Sequence, residues 1–286
     1  MSTTDAPWTI LSVLDWTRGW FAKKGLESPR LDAELLVAHV LHLERVMLYA
    51  RFDQPLLPAE LSAIKGLVLR RGRGEPVAYI LGHKEFFSLE LEVGPDVLIP
   101  RPDTEVLVEV ALARLADREA PVMVDVGTGS GNIAISIASQ RPNVRVFALD
   151  VSAAALALAA KNAKRNGVDD RVTFLESNLL RSLPSDVAPD LVVANLPYIR
   201  SDELARLMPD VRDFEPRLAL DGGPDGLVLI RRLIAEAPKS ASLALEAADD
   251  QIDTICAELA RAGFSEPTIR KDYAGKRRVA YAGPNR

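Results

Sequence analysis

The chain has 286 residues, 48% of them hydrophobic and 26% charged, the make-up of a globular protein rather than a fibrous or disordered one. A formal net charge of −5 excludes a chain whose overall design is to grip nucleic acid, and leaves room only for a local basic face. The one cysteine, Cys256, cannot form an internal disulfide, which suits a reducing compartment, and the three histidines make no His-x-x-x-His pair flanking an acid, so no metal site is expected.

No cationic stretch precedes a long apolar run at the start, and no run approaches membrane-spanning length, so a cytoplasmic protein without a membrane partner is expected. From Trp8 to about residue 72 the apolar residues recur at helical spacing: Ile10, Leu11, Val13, Leu14, Trp16, Trp20 and Phe21, then Leu31, Leu35, Leu36, Val40 and Leu41, then Leu57, Leu61, Ile64, Leu67 and Val68. Residues 1–73 thus read as a small bundle of three to five helices, punctuated at Ser28-Pro29 and between Pro55 and Pro58. His39 and His42 read as partly buried structural residues. The cluster Lys65, Arg70, Arg71 and Arg73 reads as a solvated helix face. Between 74 and 100 the period changes toward alternation, predicting a β-hairpin that joins the bundle to a larger domain over 101–286. Pro102 or Asp103 is placed to start the next helix.

An apolar run ending at Val126 leads into Gly127-Thr128-Gly129-Ser130-Gly131 and then a helical pattern from Ile133, the strand, tight turn and helix that open a nucleotide-binding α/β sheet. Asp150 ends the next apolar run about 20 residues on, where an acid suits two ribose hydroxyls. Spacing separates two kinds of nucleotide loop here. Asn132 stands where a dinucleotide fingerprint has its last glycine, and Asp125 is a poor neighbour for a pyrophosphate but an acceptable one for a cationic centre. The turn resembles the S-adenosylmethionine loop of class I methyltransferases.

Beyond Asp150 the pattern gives a helix over 152–166 and strands at 172–176 and 191–194, then a helix at 225–237, a strand at 241–246 and a helix at 249–262. Two β-like stretches near 267–271 and 278–282 close the chain. Strands alternating with helices require a parallel sheet covered on both faces, and a terminal antiparallel hairpin fits its edge. The expected fold is therefore α/β, a class I methyltransferase (Rossmann-like) sheet preceded by a helical bundle.

The fourth strand of that sheet ends in Asn195-Leu196-Pro197-Tyr198, at the edge where open α/β sheets put ligands. A planar amide or arylamine nitrogen is a poor nucleophile because its lone pair is delocalised. Holding both of its N–H groups on acceptors, the Asn195 side-chain oxygen and the Leu196 carbonyl, turns the lone pair toward a methyl donor and stabilises charge growing on nitrogen. Pro197 keeps Leu196 extended, and Tyr198 offers an aromatic face to a planar substrate.

Taken with Leu98-Ile99-Pro100-Arg101-Pro102-Asp103-Thr104-Glu105, Glu215-Pro216-Arg217, Asp221-Gly222-Gly223-Pro224-Asp225-Gly226 and Asp272-Tyr273-Ala274-Gly275-Lys276-Arg277-Arg278, the chain resembles the release factor glutamine methyltransferases (PrmC/HemK) over essentially its whole length. The resemblance implies S-adenosylmethionine as cofactor, leaving S-adenosylhomocysteine, and a class I peptide release factor as protein substrate, methylated on N5 of its Gly-Gly-Gln glutamine and docked by the N-terminal bundle. It assigns cofactor contacts to Asp125, Gly127, Thr128, Gly129, Ser130, Gly131, Asp150, Asn178, Leu179 and Asn195, and substrate contacts to Asn195, Leu196, Pro197, Tyr198 and Arg101. Two motifs depart from the family pattern: Leu196 replaces the first proline of Asn-Pro-Pro-Tyr, and Asn178-Leu179 replaces an acid followed by an aromatic, predicting weaker cofactor binding. The nearest rival is an N6-adenine methyltransferase of DNA or RNA, which shares the motif but needs a basic reading surface. A cofactor-binding module without catalysis is the rival from another class. No stable nucleic-acid binding is expected of this acidic chain.

Overall fold

The computed structural model describes residues 7–285, which fall into two compact units. The first runs through Gly82 and also takes in Pro209–Phe214; the second comprises His83–Met208 and the chain from Glu215 on.

The first unit is built on α1 (Ile10–Lys23), α2 (Pro29–Leu41), α3 (Arg45–Ala50), α4 (Pro58–Arg71) and α5 (Val77–Leu81). Thr9 and Ser12 cap α1 reciprocally, and Pro29 and Pro58 start α2 and α4 where a missing N–H costs nothing. Ile10, Val13, Phe21, Leu36, Val37, Leu48, Ile64 and Val68 form its core. Two acids near the start of α2, Asp32 and Glu34, are buried. Asp32 accepts from Arg71 Nε at 2.7 Å, and Glu34 is bonded by Arg30, Arg45 and Tyr49. Arg71 is thus the exception in a cluster read as solvated: it is buried because Asp32 and the Glu75 carbonyl satisfy it, with Asp210 beside it. His39 and His42 are exposed rather than partly buried, His42 because it ends α2 in the left-handed conformation at φ 52°. The stretch from 74 to 82, expected within the hairpin, is largely α5.

The hairpin itself is shorter, β1 (His83–Phe86) against β2 (Leu89–Glu92). Then come α6 (Glu105–Arg114), led in by a 3-10 turn at Pro102–Thr104, β3 (Val122–Val126), α7 (Asn132–Gln140), β4 (Arg145–Asp150), α8 (Ala153–Arg165), β5 (Val172–Glu176) and β6 (Leu191–Ala194). After the short α9 (Pro209–Phe214) in the first unit follow α10 (Val228–Glu236), β7 (Ser242–Glu246), α11 (Ile252–Arg261), β8 (Thr268–Lys271) and β9 (Arg277–Ala282). Strands β3 to β9 form one seven-stranded sheet in the order β5-β4-β3-β6-β7-β9-β8, in which β9 alone runs against the others and pairs antiparallel with both β7 and β8. Alternate residues of each inner strand face opposite apolar layers. Met123, Val146 and Val193 pack with α6 and α7, while Val124, Phe147 and Val192 pack with α10 and α11. This is the doubly covered α/β sheet that the alternation of strands and helices required. Among the described residues no helix is long and apolar enough to cross a membrane.

Candidate active site

Register builds the site. Val126 of β3 pairs with Leu149 of β4 and Ala194 of β6, and Ala194 pairs with Leu245 of β7. One residue further along four neighbouring strands stand Asp150, Gly127, Asn195 and Glu246, in a row along the carboxyl edge. Strand order reverses between β3 and β6, and there the sheet opens into a cavity of about 390 Å³, the size of a small-ligand site.

Gly127, Thr128, Gly129 and Ser130 form one wall with Asp150. Asp150 Oδ2 accepts from Gly129 N at 2.9 Å and Oδ1 from Ser152 N at 2.9 Å, so the carboxylate is fixed with lone pairs left for a diol. Gly127 has φ 75°, and a Cβ there would come within 3.1 Å of Leu196 Cδ2, joining the loop to the motif after β6. Two residues of the expected cofactor set stand behind this wall. At Gly131 a Cβ would lie 2.7 Å from Ile135 Cδ1, so that glycine serves the packing of α7. Asp125 is fully buried; its Oδ2 accepts from Thr128 Oγ1 at 2.7 Å and Ala134 N at 3.2 Å, which ties loop to helix. Burial pushes its carboxyl up to about 7, against those two hydrogen bonds.

Ser177, Asn178 and Leu179 border the far side. Leu179 is buried at φ 56°, a conformation rare for a bulky side chain, and Ser177 Oγ donates to its carbonyl at 2.7 Å. Asn178 Oδ1 accepts from Arg232 Nη2 of α10 at 3.0 Å, so one of its lone pairs is engaged within the chain. Arg232 also lines the cavity and was not singled out from sequence, because nothing in a helical stripe marks which surface arginine reaches a strand end.

At the other end, Asn195, Leu196 and Pro197 line the cavity with Thr104 and Arg101. Asn195 Nδ2 donates to Thr104 Oγ1 at 3.1 Å, and Thr104 Oγ1 donates to Glu246 Oε1 at 3.2 Å. Arg101 pairs with the buried Glu215, Nη2 to Oε1 at 2.5 Å. The Tyr198 ring is not part of the cavity wall; it packs against the layer of α10 and α11, where an aromatic gains most from burial, and its phenol is pushed up to about 12 chiefly by that burial. Its carbonyl accepts from Gln251 Nε2 at 2.9 Å. A Cβ on Gly222 would fall 2.6 Å from the Pro197 oxygen, and one on Gly226 2.2 Å from the Tyr198 oxygen, so this glycine-rich loop lies directly on the motif backbone. Leu196 is 4% exposed, packed into the same layer as Val126 and Leu179 rather than serving through its backbone alone. Among the described residues no group of three or more His, Cys, Asp or Glu is placed to hold a metal.

Comparison with known proteins agrees with this geometry. Residues 12–82 match the family described as the PrmC N-terminal domain, and residues 103–208 match the Methyltransferase small domain. A Release factor glutamine methyltransferase of Geobacter sulfurreducens is 46% identical, covering 95% of each chain, and one of Rhodopirellula baltica is 41% identical over 97% of each. The chain belongs to the release factor glutamine methyltransferase family. It is accordingly a methyltransferase, and membership implies a methyl donor of the S-adenosylmethionine type. The fold is shared more widely. The hMettl16 catalytic domain in complex with MAT2A 3'UTR hairpin 6 superposes with a TM-score of 0.61 at 15% identity, covering 75% of this chain and 84% of that one.

The residues present suit such a donor. Asp150 supplies anchored carboxylate oxygens for a ribose, and Leu98, Val126 and Leu179 supply apolar wall. A buried acid behind the loop is compatible with a sulfonium and an ammonium group.

Proposed function

We propose that this chain transfers the methyl group of S-adenosylmethionine to the side-chain amide nitrogen of a glutamine in a class I peptide release factor, the Gly-Gly-Gln glutamine that the family resemblance implies. The observation that carries the reading is the strand-end row, which sets Asn195 on the wall of the same cavity as Asp150 and the glycine loop.

When bound, S-adenosylmethionine supplies an electrophilic methyl on sulfur. Gly127 to Ser130 and Asp150 would hold its nucleoside part, with Leu179 and Arg232 at the far wall. The chain's own task is to make an amide nitrogen attack. Asn195 Oδ1 and the Leu196 carbonyl accept the two N–H groups of the glutamine amide, which turns its lone pair into the cavity. As positive charge grows on nitrogen those two acceptors bind it more strongly, a gain realised in the transition state. Pro197 keeps Leu196 extended, and Gln251, Gly222 and Gly226 hold the motif backbone from behind. No side chain need remove a proton before methyl transfer, since the methylated nitrogen loses one readily afterwards.

The test is transfer of labelled methyl to purified release factor, with DNA and RNA as parallel acceptors. Label should enter the protein and disappear when the loop glutamine is changed to alanine. Undiminished labelling of that variant, or preferential labelling of nucleic acid, rejects the reading.

A further inference from the structure

Glu246 ends β7 at the level of Asn195, buried at 2% exposure, and no motif in the sequence marks it. Its Oε1 accepts from Thr104 Oγ1 at 3.2 Å, and its Oε2 has no hydrogen-bond partner among the described residues. Thr104 is itself buried at 1% exposure, in the turn that leads into α6. A threonine hydroxyl has one proton. If that proton goes to a carboxylate, the threonine oxygen can only accept, and it accepts from Asn195 Nδ2 at 3.1 Å.

We propose that Thr104 and Glu246 are positioning residues: an ionised Glu246 orients the Thr104 hydroxyl, which holds the Asn195 amide by its nitrogen and leaves Oδ1 as the group presented to the substrate. This rests on the methyl-transfer reading above and adds the control of amide sense, which that reading leaves open. An asparagine turned over by 180° would present Nδ2, a donor facing the donors of a glutamine amide, and could not bind it in the productive pose.

The relay also has a state in which it fails. A protonated Glu246 can donate to Thr104, whose own proton is then free to go to Asn195 Oδ1, reversing the sense of every bond in the chain. Burial pushes this carboxyl up to about 7, opposed by the hydrogen bond from Thr104 and by the charge of Arg278. The charged and titratable groups around it are Asp103 before α6, Tyr198 after β6 and Arg278 of β9, with Asp272 fixing Arg278 at 3.1 Å. Tyr198 is pushed up to about 12 and Arg278 is raised, so neither changes charge near neutrality. Turnover should therefore rise with pH through a step near 7.

The experiment compares Thr104→Val, Thr104→Ser and Glu246→Gln with the parent enzyme, measuring kcat on release factor at saturating donor across pH, with donor affinity by calorimetry as the check on folding. Thr104→Val keeps shape and removes the hydroxyl; it should bind donor normally and lose about 10²-fold in kcat, the scale of a misplaced reacting group. Thr104→Ser should recover most of that loss, which a merely space-filling threonine would not predict. Glu246→Gln cannot ionise and should lose the acidic step. Parent-like kcat in Thr104→Val, equal impairment of the valine and serine variants, or an unchanged step in Glu246→Gln would each overturn the relay. Those outcomes presuppose a parent enzyme that labels release factor; failure of the parent itself overturns the functional reading instead.

Discussion

The glycine-loop half of the cavity is held by contacts near in sequence, whereas the Asn195 half is held from distant segments. Thr128 bonds Asp125 three residues away, and Gly129 and Ser152 both bond the Asp150 at the end of the next strand. Asn195 depends on Thr104, 91 residues earlier, and the Tyr198 carbonyl on Gln251, 53 residues later, with the Gly222–Gly226 loop lying across both. The internal hydrogen bonds of the local half need only one βαβ element. A motif supported from several directions is placed only when the whole sheet has closed, so the two halves should respond differently to substitution.

The largest effect is expected at Gly226. Its φ is 75° and a Cβ would meet the Tyr198 oxygen and Gln251 Nε2 within 2.3 Å, so Gly226→Ala adds backbone strain to a backbone clash. A loss of roughly 3–5 kcal/mol is expected from denaturant midpoints. A loss below about 1 kcal/mol would mean that the loop yields and does not support the motif.

Asp150→Ala strikes the local half. It removes the acceptor for two backbone N–H groups and the expected ribose bonds, each charge-assisted bond being worth about 1.5–3 kcal/mol. Donor affinity should fall by about 10²-fold or more, while turnover at saturating donor changes little. Unchanged affinity by calorimetry would move the ribose site elsewhere.

Asp125 gives a pH signature. An unfolded chain releases this proton near 3.8 and the folded one near about 7. Between those values the folded state binds more protons, so this group makes stability fall as pH rises and levels off above about 7. Asp125→Asn should remove that slope, so that its stability relative to the parent improves from about pH 4 to about pH 7. Parallel stability profiles of the two proteins would show that the buried carboxyl carries no such cost. Glu34 in the first unit acts in the opposite sense: burial raises it, but Tyr49, Arg45 and Arg30 outweigh that and hold it at about 2, so its contribution is present above the usual 4.5 and lost as pH falls toward 2.

The smallest effect concerns Leu196. A proline there keeps the carbonyl and reduces unfolded-chain freedom by about 0.4–1 kcal/mol, but it gives up part of a buried leucine worth about 2 kcal/mol. Leu196→Pro should be active and about 1 kcal/mol less stable, and Leu196→Gly should lose turnover as well. An inactive, folded Leu196→Pro would show that the leucine side chain shapes the substrate site.

Much of this was legible in the chain, and unevenly. The glycine loop, Asp150 and the Asn195 motif could be read because each lies at the end of an apolar run whose register is set by neighbouring strands. Nearly every strand of the sheet was readable for the same reason. What escaped was long-range. Glu246 ends a strand just as Asp150 does, but only the pairing of β6 with β7 shows that it stands beside Asn195. Arg71 looks like a surface cation until Asp32 is found beside it. The stretch from 200 to 220, with α9 inside it, has no clear apolar period because its α9 residues are not buried, and no helix was read there.

Asn195→Ala separates donor binding from methyl transfer most directly, measured for donor affinity by calorimetry and for kcat with release factor at saturating donor. Removing one oriented transition-state acceptor while leaving Asp150 and the glycine loop intact should change affinity by no more than about a few-fold and lower kcat by about 10²–10³-fold. A variant that binds donor normally and turns over at the parent rate would contradict the central claim that this amide holds the reacting nitrogen.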